Sequence, residues 1–458
     1  MEIFISNIYS VLKTKEKELL KALGKKYSAK APGYEFTPAY RQGRWRGDKF
    51  FFDPKTGKFG TGLLSSILED LDFLDRDYTL TDSRDVVTLE SYEVEGISFR
   101  DYQDNLIRQA LDKKGCIIKS PTGSGKTVIL AGILNALRDC TGVVFFNKKQ
   151  LLSQTSKFLT KHGIEHGIAF GDGVDIKPIT LCTIQSIDKV LHSHVRESDF
   201  LIFDEIHEFA KGKMASKVLK SFPKAAYRIG LTATPPKDRF SKLNLVSFLG
   251  GIIEVVTAED LVEEGYLTLP SIQILELPDV DLRETEGLSY PEMYSKYIIE
   301  NDIRNKTISD IVNSIEGENS KILVLTKNLS HAQILLDLIP GSIKLEGKDS
   351  LQDREDTLKR FVEEKGPSVI IGTIIFQTGV DIPELTHLIN ARGLKSEIAT
   401  VQALGRTLRK HDNKSQVFIY DFIDKVPYLG KHSKRRIDAY KSLNFNIEFH
   451  GKAFRERK

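Results

Sequence analysis

Cysteine is scarce in this chain: Cys116, Cys140 and Cys182 are the only three in 458 residues. They have no metal-ligand spacing and each lies in an apolar segment. That argues against a disulfide framework and a cysteine zinc site, and favours buried thiols in a reducing compartment. Long apolar runs are missing too, and the start of the chain lacks the apolar core of a secretion signal. The expectation is a soluble cytoplasmic protein without membrane contact. Net charge is small: 66 Lys and Arg against 63 Asp and Glu leave +3. That total does not announce a polyanionic partner, although the distribution of charge along the chain does.

The residues that organise the rest are Ser120-Pro121-Thr122-Gly123-Ser124-Gly125-Lys126-Thr127. An apolar run precedes them and another follows, which predicts strand, glycine-rich turn and helix, the setting of a phosphate-binding loop. Glycines let successive N–H groups curl toward an anion, and the helix N-terminus adds positive partial charge. In this reading Thr122, Gly123, Ser124 and Gly125 cradle the phosphates of ATP, Lys126 reaches the β- and γ-phosphates, and the Thr127 hydroxyl ligates Mg²⁺. Ser120 stands where the usual pattern has its first glycine. The bland alternative is a Gly/Ser turn that binds nothing, and Gly-Lys-Thr between a strand and a helix argues against it.

Other polar groups follow apolar strands in the same half. Phe200-Leu201-Ile202-Phe203 delivers Asp204-Glu205-Ile206-His207. Asp204 can hold Mg²⁺, and Glu205 can orient and deprotonate an attacking water. A lone Asp-Glu pair after a strand is usually a solvated turn, but downstream of a phosphate loop it signals nucleotide hydrolysis. His207 is expected to hydrogen-bond toward the second domain. Phe99-Arg100-Asp101-Tyr102-Gln103 opens an amphipathic helix upstream of the loop, and the Gln103 amide both donates and accepts, as adenine requires. Lys148 follows the strand at 143–146, and Thr183 and Gln185 follow the strand at 179–182. Such clusters fall where open α/β sheets bind ligands. Leu231-Thr232-Ala233-Thr234 ends the next strand and suits a link between the nucleotide site and the rest of the protein.

The first 95 residues are electrically polarised. Residues 13–58 hold thirteen basic and five acidic side chains, and residues 67–95 hold two basic and ten acidic. Arg41, Arg44, Arg46, Lys49, Lys55 and Lys58 interleave with Tyr40, Trp45 and Phe50. Cations neutralise phosphates while aromatic faces stack on bases or fill a small core. A turn at 53–57 is expected between two aromatic-rich strands, with a strand over 1–8 and a helix over 14–23 before it.

From residue 258 onward strand and helix alternate again, which predicts a second doubly wound sheet without a phosphate loop of its own. A long polar helix is expected over 290–315. Arg406 and Arg409 lie three apart on one helical face and could stabilise charge on a γ-phosphate; a solvated basic face is the bland alternative. The basic tail from Lys431, with Lys434-Arg435-Arg436, reads equally as a phosphate contact or a solvated terminus.

In order and spacing, Gln103, the loop at 120–127, Thr183-Ile184-Gln185-Ser186, Asp204-Glu205-Ile206-His207 and Leu231-Thr232-Ala233-Thr234 resemble the superfamily 2 helicases of the DExH type. Residues 373–383 are similar to that family's motif V and residues 402–409 to its motif VI. Gly33-Tyr34-Glu35-Phe36-Thr37-Pro38 and Gly43-Arg44-Trp45-Arg46-Gly47 resemble the amino-terminal domain of the phage UvsW-type recombination helicases.

The resemblance implies an α/β protein: two RecA-like doubly wound parallel-sheet motor domains, 96–257 and 258–458, after a small α+β DNA-binding domain, 1–95. ATP and Mg²⁺ are the implied cofactors. Arg100, Gln103, the loop, Gly379 and Asp381 would face the nucleotide. Lys126, Asp204, Glu205, Arg406 and Arg409 would carry hydrolysis, with Thr127 and Asp204 on the metal. Arg41, Arg44, Trp45, Arg46, Lys148, Thr183, Gln185 and Thr373 would contact DNA. The implied activity is remodelling of branched or forked DNA in recombination, repair and replication: junction migration, fork regression and displacement-loop unwinding, tracking 3′ to 5′. The implied protein is a monomer in the (host) cytoplasm, with recombination or replication proteins as further partners. An RNA helicase would share the motor core. A restriction-type translocase would need a nuclease, of which there is no signature. A non-enzymatic junction clamp would use ATP only as a switch and would not need a complete hydrolytic set.

Overall fold

Apolar runs become strands, and among the described residues of the chain's computed structural model they assemble into three larger sheets and a two-stranded ribbon. The structure describes residues 1–451 apart from 172, 194–196, 211–217, 219, 318, 347, 348, 350, 374–381, 383, 395–415 and 442–444. Apart from Thr122–Ser124, which do not group with the first, the chain divides into two units with the break after Val256.

The first unit opens with β1 (Glu2–Ile5), β2 (Tyr9–Lys13), β3 (Ser28–Lys30), β4 (Asp48–Phe50), β5 (Lys58–Gly60) and β6 (Thr79–Asp82). Four of them form a sheet in the order β5-β2-β1-β6, while β3 and β4 pair separately. The strand expected over 1–8 therefore ends at Ile5, and the helix expected over 14–23 lies at Lys17–Lys26. The turn at 53–57 forms, closed by the Gly57 N–H on the Asp53 carbonyl at 2.8 Å. Its flanks are not a simple hairpin, because they meet only at the Phe52–Phe59 bridge. Both rings are buried and stack 5.7 Å apart, so these aromatics are core.

The motor sheet of this unit holds β7 (Gly115–Lys119), β8 (Gly142–Phe146), β9 (Gly167–Phe170), β10 (Gly173–Asp175), β11 (Ile179–Thr183), β12 (Phe200–Phe203), β13 (Tyr227–Thr232) and β14 (Ile252–Ile253). Their order is β10-β9-β11-β8-β12-β13-β7-β14, and only the β9–β10 pair is antiparallel. β8, β11, β12 and β13 are buried along their whole length, as parallel strands covered on both faces must be.

The helix Arg239–Leu249 joins this sheet to the amino-terminal one. A Cβ on Gly60 would overlap the Ser247 carbonyl, and one on Gly62 the Val246 carbonyl, so backbone packs on backbone. Phe51 meets Phe240 edge-on at 5.8 Å, and Arg239 donates to the Ser28 and Lys26 carbonyls at 3.0 and 2.6 Å. One apolar core runs from Ile3, Leu12 and Ile67 through Leu245 and Leu249 to Ile117 and Phe145.

The second unit is built on β15 (Leu269–Glu276), β16 (Lys321–Leu325), β17 (Ile343–Leu345), β18 (Ser368–Gly372), β19 (His387–Asn390), β20 (Gln416–Ile423) and β21 (Asn446–His450). All are parallel, in the order β17-β18-β16-β19-β20-β15-β21. Both motor domains are thus RecA-like α/β sheets. The helix expected over 290–315 is broken into Tyr290–Tyr294, a wider turn at Ser295–Ile299, and Asp302–Ser314. Asn301 starts the last piece by accepting the Arg304 N–H at 3.0 Å, as an N-cap does. One residue of the basic tail is corrected as well, while Lys434 and Arg435 are exposed. Arg436 lies in the helix Leu429–Lys441 and is buried, its Nε 2.9 Å from Asp421, so it is neither a solvated nor a phosphate-facing residue. Among the described residues no helix is long and apolar enough to cross a membrane.

Candidate active site

Strand register brings the polar groups of the first unit to one edge. Lys119 at the end of β7 is level with Thr232 of β13, and Gly230 is level with Phe203 of β12. Phe203 is level with Phe145 of β8, and Phe146 with Thr183 of β11. The loop after β7, Thr232-Ala233-Thr234, Asp204-Glu205, Lys148 and Gln185 therefore all leave the sheet at its carboxyl edge. β7 and β12 are not neighbours: β13 lies between them, which is how Thr232 comes to sit beside both.

The loop has the backbone its glycines were expected to allow, with φ of 89° at Gly123 and 82° at Gly125. The Ser120 N–H donates to the Thr232 carbonyl at 3.0 Å, tying the loop to β13. Lys126 begins the helix Lys126–Ala136, with Thr127 next to it in the first turn. Its Nζ lies 3.5 Å from the Ser120 carbonyl and 3.9 Å from Glu205 Oε1. The Thr122 and Thr234 hydroxyls are buried without a hydrogen-bond partner among the described residues. Buried polar groups are normally satisfied, and a phosphate oxygen or a metal-bound water would satisfy these. The donor set therefore fits a magnesium nucleotide.

Asp204 and Glu205 follow β12 directly. Burial pushes the Asp204 carboxyl up to about 7; adjacent Glu205 adds to the rise and Lys126 opposes it. Glu205 has φ 50° and ψ 52°, a left-handed conformation that a residue with a Cβ adopts at a cost, and one that collects at working sites. His207 bonds within its own unit. Its Nδ1 is 2.8 Å from the Thr232 hydroxyl and 3.3 Å from Glu205 Oε2, and its Nε2 is 3.6 Å from Glu208. Burial disfavours the imidazolium, but Glu205 and Glu208 outweigh it and carry His207 up to about 9.

Gln103 is buried beside the loop. Its Oε1 accepts the Arg100 N–H at 3.0 Å, and a Cβ on Gly125 would come within 2.6 Å of its Nε2. Arg100 is half-buried, its Nη1 3.0 Å from the Tyr102 hydroxyl. Thr183 is buried and its hydroxyl donates to Ser186 at 3.1 Å, whereas Gln185 is exposed, 3.5 Å from the Asn147 carbonyl. Lys148 is half-buried at the start of the helix Lys149–Lys161. Thr373 is buried just past β18. Gly379, Asp381, Arg406 and Arg409 lie outside the described residues.

In the amino-terminal domain Arg41, Arg44 and Arg46 are exposed. Trp45 is half-buried and donates from Nε1 to the Asp48 carbonyl at 2.9 Å, so it also shapes its own loop. Lys49 is a scaffold residue: it donates to Asn244 at 3.0 Å and lies over the Phe51 and Phe240 rings, and burial lowers its pKa. Phe36, 73% exposed, Phe50, 51% exposed, and Phe73, 89% exposed, face out, and Tyr40 is exposed as well. Sequence reasoning missed a buried ionic group in the second unit, Arg304, Asp421, Asp424 and Arg436. The readable signal was two aspartates at the end of an otherwise apolar strand.

Comparison with known proteins agrees with this geometry. Residues 96–237 match the family described as type III restriction enzyme, res subunit, and residues 304–411 match the helicase conserved C-terminal domain. The ATP-dependent DNA helicase uvsW of Enterobacteria phage T4 is 24% identical over 470 residues, covering 92% of this chain and 93% of that protein. The DNA 3'-5' translocase XPB2 of Sulfurisphaera tokodaii is 25% identical over 383 residues, covering 74% of this chain and 84% of that protein. The solved structure of the ATP-dependent type ISP restriction-modification enzyme LlaBIII shares the fold at a TM-score of 0.57 and 17% identity, over 79% of this chain and 32% of that one. The first family match lies over a nucleotide site of this geometry, the second is a helicase domain, and the uvsW relative aligns along nearly the whole chain: the chain is an ATP-hydrolysing, UvsW-like helicase of superfamily 2.

Proposed function

We propose that the protein is a DNA motor that uses ATP hydrolysis to remodel branched DNA. The observation that carries the motor half is the convergence of Lys126 Nζ and the strained Glu205 at 3.9 Å on one sheet edge. Glu205 would hold and deprotonate the attacking water, and Lys126 would hold the phosphates. Thr127 and Asp204 would hold Mg²⁺, which would supply neutralisation of phosphate charge. Arg406 and Arg409 would stabilise the charge that builds on the transferred group, and Gly379 and Asp381 would border the nucleotide.

The substrate half is supported by the exposed Arg41, Arg44 and Arg46, carried on a domain anchored to the first motor sheet. The relatives named as DNA helicase and DNA translocase point the same way. Phosphate contacts from Arg41, Arg44, Arg46 and Lys148 would be independent of sequence, with Trp45 against a base or sugar. Gln185, Thr183 and Thr373 would follow the tracked strand.

The test is steady-state ATPase activity with single-stranded DNA, duplex, a four-way junction and single-stranded RNA, with product gels for the junction. The expected result is strongest stimulation by the junction, with products formed only while ATP is hydrolysed. Stimulation by RNA alone would keep the motor and remove the DNA reading. Tight junction binding without turnover would favour a clamp.

A further inference from the structure

The second unit carries side chains that the nucleotide site does not use, on one exposed helical face. β20 ends at Ile423, and the chain turns through Pro427-Tyr428 into the helix Leu429–Lys441. The Leu429 N–H donates to the Pro427 carbonyl at 2.7 Å and closes a three-residue turn. Tyr428 stands at its centre with φ 61°. That is the rare hand of such a turn, and a residue with a Cβ adopts it at a cost. Burial does not offset the cost, because Tyr428 is 54% exposed.

The Tyr428 ring is nevertheless placed. It meets the Tyr290 ring almost at right angles at 6.4 Å, and Tyr290 meets the His432 ring at 5.7 Å. His432 Nδ1 in turn lies 3.4 Å from the Gly393 carbonyl. Tyr428 is thus supported along one side and open on the rest.

Helical spacing puts Lys431 and Arg435 on the same face as Tyr428, with Lys434 beside them. All three cations are exposed, and among the described residues none of them makes an ion pair. Asp438 is the one carboxylate on that face. Exposed cations neutralise phosphates, and an exposed ring offers a base a surface to stack on. A duplex keeps its bases stacked on one another, whereas a single strand has faces to give. An apolar protein partner would have to bury three cations beside the ring. The position agrees: Tyr428 follows the carboxyl end of β20, and Thr373 follows the carboxyl end of β18, three strands away in the same parallel sheet, about 15 Å at the usual spacing.

We propose that Tyr428, Lys431, Lys434 and Arg435 form a site for single-stranded DNA on the second unit, the ring stacking on a base and the cations lying along the phosphates. This rests on the reading of the protein as a DNA motor given above.

The test is the affinity of the full chain, by fluorescence anisotropy, for an oligothymidylate and for an abasic oligomer with the same number of phosphates. Tyr428→Ala and Tyr428→Gly should each weaken oligothymidylate binding about tenfold, and Tyr428→Phe, which keeps the ring, should not. On the abasic strand all three should bind like the parent. Glycine suits a positive φ, so Tyr428→Gly should unfold at higher denaturant than Tyr428→Ala while losing the same affinity. Lys434→Ala with Arg435→Ala should weaken both strands and make the slope of log K against log salt shallower by about 1.4, at about 0.7 for each phosphate of a single strand. Full affinity in Tyr428→Gly, equal losses on the two strands, or a loss that follows stability overturns the proposal. Should the Tyr428 variants fail to fold, the salt slope of the Lys434, Arg435 variant decides, and an unchanged slope overturns the site. If the parent binds neither strand and gains no turnover from DNA, the motor reading fails and the site with it; if the parent binds and Tyr428→Gly binds as well, the site alone fails.

Discussion

His207 Nδ1 lies 2.8 Å from the Thr232 hydroxyl, so the turn that carries the two carboxylates is joined to the strand that ends beside the phosphate loop. With Glu205 and Glu208 also close, the imidazole is held in its charged form up to about 9 against an ordinary 6.5. The sign follows: a raised folded-state pKa stabilises fully below 6.5 and the contribution is lost as pH climbs through 9. Urea unfolding of the parent and of His207→Asn across that window should give a stability difference that shrinks with rising pH. A difference that stays flat across the window would mean the ring is neutral.

Lys126→Ala should abolish productive nucleotide binding, read as lost turnover together with lost ATP affinity. Glu205→Gln should separate the two, retaining ATP while turnover falls by about a hundredfold or more, the usual range for a lost general base. Because residue 205 is left-handed, Glu205→Gly should unfold at higher denaturant than Glu205→Ala, by about 1 kcal/mol. Equal midpoints would remove the strain argument.

Replacing Arg44 and Arg46 by Ala should spare basal ATPase activity, since both are exposed and far in sequence from the loop. Junction affinity should drop, and the slope of log K against log salt should become shallower by about two if each arginine neutralises one phosphate. An unchanged slope would move the DNA contact elsewhere. Trp45 is a poorer probe, because its indole also holds the Asp48 carbonyl.

Gly62→Ala should cost about 1–3 kcal/mol, since the new Cβ meets backbone that cannot rotate away. Thermal unfolding measures the loss, and limited proteolysis should cut the amino-terminal domain away from the motor sooner. An unperturbed melt would show that the two sheets give way to each other easily.

The phosphate loop, β8, β11 and β12 were legible because buried parallel strands read as unbroken apolar runs and the loop needs its glycines at fixed places. The break in the helix over 290–315 was written in Asn301-Asp302, a cap within a polar stretch, and polarity hid it. Arg436 was unreadable as a core residue inside Lys434-Arg435-Arg436, where neighbouring charges suggest solvent. Its spacing from Leu429, Ser433 and Tyr440, all on one buried helical face, was the available sign. His207 pairs with a residue 25 positions away, and only the order of strands in the sheet brings them together. Lys49 looked like a phosphate-seeking cation and proved to be packed between two phenyl rings, one of them from Phe240, far along the chain.

Gly60 and Gly62 lie on the carbonyls of the helix Arg239–Leu249 with no side chain between them that could swing aside. A joint of that kind has no free pivot. The amino-terminal domain therefore has little freedom to turn on the first motor sheet, and the loop bearing Arg44 and Arg46 is carried at a fixed place relative to it.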